Sequence, residues 1–134
     1  MKRLIIGLIA SVMMCAGLVG VSTGSASASC PYTGCVETNT KVTVPNAPVK
    51  KGKKAKVCVR VTTPGSGQPK GRVTATVDGP GLHWSRTKQY KGGQVCFTTR
   101  KINKKGTYSA RGIFSPYSST PFGGSRGETS FQVV

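Results

Sequence analysis

The residues of this chain best able to do chemistry are its five cysteines. Two of them, Cys58 and Cys96, stand in the triplets Val-Cys-Val at 57–59 and Val-Cys-Phe at 95–97. Both triplets lie in segments where apolar and polar residues alternate, which is typical of β-strands. Successive side chains of a strand point to opposite faces, so we predict that both cysteines face away from the apolar side. Their chemistry then depends on the compartment, because disulfides persist mainly outside the cytosol.

The amino terminus has the pattern of an export signal. Lys2 and Arg3 supply positive charge, residues 4–21 are apolar, and residues 26–28 (Ala-Ser-Ala) form a small-residue cleavage site. We predict a signal peptide at 1–28, cleaved after Ala28. The apolar run has 18 residues, enough for an uncleaved membrane anchor, but its glycines and small-residue end favour cleavage.

Cleavage at this site would leave an even number of cysteines. It would remove Cys15 and keep Cys30, Cys35, Cys58 and Cys96. An even set in an exported chain predicts disulfides rather than a metal site. The remaining 106 of the 134 residues suffice for one domain with a modest core. We therefore expect a secreted, extracellular, disulfide-bonded protein without a transmembrane segment.

The chain is strongly basic. Its formal net charge of +17 falls to +15 when Lys2 and Arg3 are removed, and only Glu37, Asp78 and Glu128 oppose this charge. Such an excess predicts attraction to polyanions and repulsion between copies, which favours a monomer. Outside a cell, the polyanions include teichoic acids, anionic lipid headgroups, acidic polysaccharides and released nucleic acid.

Seven short segments have the pattern of β-strands. Within them β-branched residues alternate with polar ones, and clusters of Gly, Pro, Asn and Lys separate them. We number these predicted strands β1 to β7; they cover 42–44, 55–62, 72–77, 82–89, 94–99, 107–114 and 129–133. No segment has a helical period. Seven short strands in one domain predict an all-β, antiparallel sandwich.

The alternation also predicts which side chains form the core. The inward set is Val42, Val44, Ala55, Val57, Val59, Val61, Val73, Ala75, Val77, Leu82, Trp84, Val95, Phe97, Tyr108, Ala110, Phe114, Phe131 and Val133. The opposite sides of β2 and β3 carry Lys54, Lys56, Arg60 and Arg72. Faces so charged must contact water, so we expect each sheet to bury one side only.

Several stretches match a known family of domains. They are Lys-Val-Thr-Val at 41–44, Lys-Gly at 51–52 before Ala-Lys-Val-Cys-Val at 55–59, the run 69–79, Gly-Gly at 92–93 and Gly-Thr-Tyr-Ser-Ala at 106–110. In these features the chain resembles the bacterial immunoglobulin-like domains of the third group, common in secreted and cell-surface proteins of Actinobacteria. The resemblance implies an immunoglobulin-like domain at 41–134, preceded by a disulfide-looped segment at 29–40. Its motifs are structural and specify a fold better than an activity.

The resemblance also implies how the cysteines pair. In the immunoglobulin-like arrangement β2 and β5 are neighbours, so Cys58 and Cys96 would form a bridge across the solvent face of one sheet. Tyr108 fits the tyrosine corner of such domains, but Ala110 replaces the second cysteine of the antibody-type bridge. Cys30 and Cys35 would close a second, short loop. A structural role is favoured for that loop over a redox-active one.

One end of the sandwich is predicted to collect positive charge, because the β1–β2, β3–β4 and β5–β6 connections gather there. We call the following set the basic pole: Lys50, Lys51, Lys53, Lys54, Lys56, Arg100, Lys101, Lys104 and Lys105. Two interpretations remain open. The pole is either an anion-binding site or a solvated lysine surface that protects strand edges.

The opposite end carries the glycine- and serine-rich β6–β7 loop, 115–127, with Tyr117 and Phe122. Such a loop can bind a partner, although packing onto the sandwich is the more common outcome. Tyr32 and Tyr90 are also predicted to lie in loops distant from the pole. Nucleic acid is therefore disfavoured as a partner, since single strands stack on exposed aromatics within a basic groove.

Catalysis is not expected. His83 alternates with Leu82 and Trp84 and is predicted to face solvent, and the three acids are dispersed. We predict no catalytic, cofactor-binding or metal-binding residue. The favoured function is a secreted, non-catalytic module that binds anionic cell-envelope polymers, or another macromolecule such as an extracellular protein, through the basic pole. The alternatives are a small-molecule carrier or enzyme inhibitor, and a cationic antimicrobial protein.

Overall fold

The computed structural model describes residues 34–134; the export signal, Cys30 and Tyr32 lie outside the described residues. The strands are β1 Asn39–Thr43, β2 Lys54–Thr62, β3 Gly71–Gly79, β4 Leu82–Tyr90, β5 Gln94–Lys101, β6 Gly106–Pro116 and β7 Ser125–Val133. Residues 34–134 contain no helix. The prediction of an all-β fold with seven strands is confirmed, although β1 and β7 begin three and four residues earlier than predicted.

The strands form two antiparallel sheets. One has the order β1-β2-β5 and the other the order β4-β3-β6-β7. The chain crosses between the sheets from β2 to β3, from β4 to β5 and from β5 to β6. Strand β2 is therefore the central strand of the smaller sheet, while β5 is an edge strand.

The two sheets bury one apolar core between them. Fifteen of the eighteen residues predicted to face inward are buried, and Val44, Trp84 and Val95 pack partly exposed against the others. The core also contains Val49 and Ile102, from the β1–β2 and β5–β6 connections. Strict alternation within the strands thus predicts the core contribution of both sheets.

The prediction that Tyr90 lies in a loop is wrong. It is the last residue of β4 and is only 1% exposed. Its hydroxyl oxygen lies 3.0 Å from the backbone nitrogen of Val61 and 2.5 Å from the carbonyl oxygen of Gly93. The ring fills the end of the core while the polar tip is hydrogen-bonded, which is how a tyrosine is usually accommodated when buried.

The two open sides of the sandwich are closed differently. On one side β1 approaches β7, and the buried hydroxyls of Thr40 and Ser125 lie 2.7 Å apart. On the other side, side chains bridge the sheets. Lys88 Nζ of β4 donates to the carbonyl oxygen of Cys96 on β5 at 2.8 Å and lies 5.1 Å from the centroid of the Phe97 ring. Lys88 thereby covers part of the free edge of β5.

Tyr108 fastens the connections at one end of the sandwich. Its hydroxyl lies 2.8 Å from the carbonyl oxygen of Pro80 and 2.9 Å from that of Lys104. The ring stacks on Phe131 with centroids 5.7 Å apart. The β3–β4 turn and the β5–β6 connection are therefore held together by one side chain.

Replacing Tyr108 by phenylalanine is expected to lower the free energy of unfolding by about 1–2 kcal/mol. The substitution keeps the ring but removes the single hydroxyl proton that the carbonyl oxygens of Pro80 and Lys104 share. A hydrogen bond contributes about 1 kcal/mol, and a part-buried acceptor left without a donor costs about 1 kcal/mol more. Urea unfolding followed by the fluorescence of Trp84 measures the difference. Tyr117→Phe, at a residue 37% exposed, is the matched control and should change stability by less than 0.5 kcal/mol. Equal effects of the two substitutions would contradict the role assigned to Tyr108.

Candidate anion-binding surface

Backbone hydrogen bonds join the two connections that carry most of the basic pole. Gly52 N donates to the carbonyl oxygen of Ile102 at 2.7 Å, and Ile102 N donates to that of Lys53 at 2.9 Å. The hydroxyl of Tyr108 brings the β3–β4 turn to the same place. The three connections thus meet at one end of the sandwich.

All nine side chains of the basic pole belong to exposed residues. Five of them lie in the connections, namely Lys50, Lys51, Lys53, Lys104 and Lys105. Four, Lys54, Lys56, Arg100 and Lys101, lie on strands of the smaller sheet. Arg100 turns toward the other sheet, where its Nη2 lies 3.5 Å from the carbonyl oxygen of His83.

A β-bulge in β5 places Lys101 beside Lys54. Lys56 is opposite Thr98, but Lys54 is opposite Lys101, so one extra residue of β5 is accommodated near Ala55. Thr99 is buried there and accepts a hydrogen bond from Ala55 N at 2.9 Å. Strict alternation after Phe97 would send Lys101 inward. The bulge instead puts it on the outer face, since directly opposed residues share a face.

The outer side of the β1-β2-β5 sheet is basic along its length. Lys41 lies opposite Arg60, and Lys54 lies opposite Lys101, with Lys56 between them along β2. None of the residues of β1, β2 or β5 is acidic. We call these five residues the basic face. Its members Lys41 and Arg60 were not among the predicted site residues.

The acids of the two sheets lie on the larger one, and both have partners. Asp78 of β3 contacts Nδ1 of His83, whose side chain is 80% exposed, as predicted for a histidine facing solvent. Glu128 of β7 accepts a hydrogen bond from Ser109, and its Oε2 lies 3.6 Å from Arg111 Nε. Neither carboxylate lies on the β1-β2-β5 sheet, so the positive charge of the basic face has no acidic partner within that sheet.

The predicted bridge between Cys58 and Cys96 is confirmed. The two residues are direct partners in the β2–β5 ladder, and their Cα atoms are 4.0 Å apart. The bridge lies on the outer side of the sheet, because its neighbours Val57 and Val59 belong to the core. Cys58 is nevertheless only 2% exposed, since it sits on the central strand between Thr43 and Cys96. The predicted pairing of Cys35 with Cys30 lies outside the described residues.

The β6–β7 loop at the far end is tied down by the segment that precedes β1. Val36 N donates to the carbonyl oxygen of Pro121 at 2.7 Å, and Gly123 N donates to that of Val36 at 2.9 Å. Phe122 is partly buried and packs against the core, as expected for a loop that packs onto the sandwich. Tyr117 is the exposed aromatic of the loop.

Within residues 34–134, no three histidines, cysteines, aspartates or glutamates are grouped so that they could hold a metal ion. The same residues form no helix that could cross a membrane. The chain matches no protein-family model and no curated protein.

Proposed function

We propose that this protein is a secreted, non-catalytic immunoglobulin-like module that binds anionic polymers of the cell envelope through its basic pole. One observation carries the proposal. Basic side chains from two separate parts of the chain, residues 50–56 and 100–105, converge on one end, where Asp78 beside the β3–β4 turn contacts His83. Many weak contacts to a polyanion then add up, because each neutralised charge releases counterions from the polymer.

Two features support an immunoglobulin-like fold. The first is the division into sheets of three and four strands with β2 beside β5. The second is Tyr108, whose hydroxyl reaches back to the backbone of Lys104, four residues upstream, as in a tyrosine corner. The export motif at 1–28 and the Cys58–Cys96 bridge support secretion, because disulfides persist in oxidising compartments.

The pole is favoured as a site over a merely solvated surface because of where its charges come from. A lysine-rich composition alone would scatter basic residues over all connections. In this chain the β4–β5 turn has only Lys91, and the β6–β7 loop between the strands has none. The convergence concentrates the electrostatic potential at one end. A carrier or antimicrobial function has no comparable support among residues 34–134.

Neutralising four residues of the pole is expected to weaken binding to a polyol-phosphate polymer about thirtyfold. Lys50→Gln, Lys51→Gln, Lys104→Gln and Lys105→Gln each remove an exposed contact of about 0.5 kcal/mol. The measurement is retention on immobilised polymer across a sodium chloride titration. The logarithm of the affinity should fall linearly with the logarithm of the salt concentration, with a smaller slope for the variant.

A second quadruple variant controls for net charge. Lys70→Gln, Arg72→Gln, Lys91→Gln and Arg126→Gln remove the same number of exposed charges at other places on the molecule. We expect this variant to keep most of the affinity. Equal weakening of the two variants would show that only net charge matters, and salt-independent retention of the parent would exclude an electrostatic module.

A further inference from the structure

The basic face continues the basic pole along β2. Lys54 and Lys101 lie side by side at the pole, Lys56 follows on the same side of β2, and Arg60 lies beside Lys41 toward the far end. All five residues are exposed. The outward residues between them are uncharged. Positive charge therefore forms a row that runs parallel to one strand.

The row is long compared with a single anion. Lys54 and Arg60 are six residues apart, which corresponds to about 20 Å along an extended strand. A phosphate or sulfate ion at the pole cannot touch the far pair. A linear polyanion can contact both ends at once, and its second contact is then made at a high effective concentration.

We infer that the basic face is a track for a linear phosphodiester polymer without bases, extended along β2 from the basic pole to Lys41 and Arg60. This inference rests on the proposed function and names its ligand class. Four of the five residues are lysines, whose compact ammonium groups neutralise phosphates as point charges without a fixed orientation. Outward side chains on one strand recur about every 6.8 Å, a spacing comparable to the extended repeat of a phosphodiester-linked polyol.

The composition of the face argues against two other polyanions. Single-stranded nucleic acid binds through bases stacked on exposed aromatics, and the aromatic residue of these strands, Phe97, is buried in the core. An anionic membrane holds a protein through apolar side chains that enter the headgroup region. The outward residues of the track are instead lysine, arginine, threonine, asparagine, glutamine and cysteine. A polymer of phosphates and polyols requires neither kind of contact.

The Cys58–Cys96 bridge lies midway along the track. It joins β2 to β5 between the Lys54–Lys101 pair and the Arg60–Lys41 pair. A covalent link at this point keeps the two strands in one register. The bridge therefore fixes the positions of charges on both strands, which reduces the ordering required when a polymer binds.

The inference is tested by the dependence of affinity on polymer length. Glycerol-phosphate oligomers of increasing length, and inorganic phosphate, are titrated into the protein and into Lys41→Gln/Arg60→Gln, which leaves the pole intact. The parent protein should bind long oligomers more tightly than short ones. The variant should bind the shortest oligomers as the parent does and lose about fivefold on those long enough to span the track.

Two further variants make the outcome specific. Arg72→Gln/Arg126→Gln removes the same charge from the outer side of the larger sheet and should bind all oligomers like the parent. Lys41→Arg/Arg60→Lys keeps the charge and should restore long-oligomer binding, which separates loss of charge from loss of structure. Thermal unfolding of each variant verifies that it is folded.

Several results would overturn the track. One is a loss by Lys41→Gln/Arg60→Gln that is equal for short and long oligomers. Another is that Lys41→Gln/Arg60→Gln loses no affinity at any length while the pole variants still bind more weakly. That result would leave the proposed function standing. A stronger dependence on Lys41 and Arg60 for oligonucleotides or anionic vesicles would overturn the ligand class. Failure of the parent to bind any oligomer would overturn both the track and the proposed function.

Discussion

Replacing Cys58 and Cys96 together by alanine is expected to lower the free energy of unfolding by about 4 kcal/mol. The bridge closes a long loop, since its cysteines are 38 positions apart in the sequence. Without it the unfolded chain gains the conformations that the closed loop excludes, and the folded state also loses the packing of the Cys58 sulfur, which is only 2% exposed. Such a loss approaches the entire stability of a small domain, which is about 5–15 kcal/mol.

Urea unfolding of the parent and of the double variant, followed by the fluorescence of Trp84, measures this effect. Thr98→Ala is the matched control, because it removes an outward side chain from the same strand without touching the bridge; it should cost less than about 0.5 kcal/mol. The single variant Cys58→Ala should lose as much as the double variant, since either change opens the loop. A double variant within 1 kcal/mol of the parent would contradict the loop-closure account.

The location of these cysteines was predictable, but their partnership was only partly so. Alternation alone requires Cys58 and Cys96 to avoid the side occupied by Val57 and Phe97, because side-chain direction on a strand follows from position. That β2 adjoins β5 is a long-range property. It came from the family resemblance, since no local pattern states which distant strand a given strand will pair with.

The core residues that sequence reasoning missed lie at strand ends or between strands. Val49 and Ile102 are single apolar residues in polar connections, where no periodicity marks them as inward. They are buried because their backbones are hydrogen-bonded to the ends of neighbouring segments: Val49 N donates to the carbonyl oxygen of Gln132 at 2.9 Å, and Ile102 N to that of Lys53 at the same distance. Tertiary contacts of this kind have no local signature.

The candidate surface also has one part that the sequence predicts and one part that it does not. The gathering of the lysine-bearing connections at one end follows from the alternating direction of successive strands, so the pole could be predicted from the order of the elements. The basic face could not, because it depends on register. Lys41 joins Arg60 only in the observed β1–β2 pairing, and Lys101 joins Lys54 only through the bulge. A shift of one residue would send either side chain to the other face.

Replacing Gly127 by alanine is expected to cost about 3 kcal/mol of unfolding free energy. A Cβ at this position would lie 2.0 Å from the carbonyl oxygen of Thr40, which is backbone and cannot turn aside. Strand β1 would have to move away from β7, and the buried Thr40–Ser125 hydrogen bond would stretch or break. Overpacking of this kind typically costs about 1–3 kcal/mol, and the upper value applies because the obstacle is the main chain.

Gly67→Ala separates this effect from the general consequences of replacing glycine. A Cβ on Gly67 would approach the edge of the Phe122 ring at 3.2 Å, and a side chain can yield where a backbone cannot, so its cost should stay below about 1 kcal/mol. Displacement of β1 would also move Lys41 away from Arg60. Gly127→Ala, assayed under conditions where it remains folded, should therefore lose affinity for long glycerol-phosphate oligomers but not for the shortest ones. Unchanged stability would show that β1 and β7 do not meet as described. Lost stability with an unchanged dependence of affinity on oligomer length would show that the contact between β1 and β7 is not needed to position Lys41 in the track.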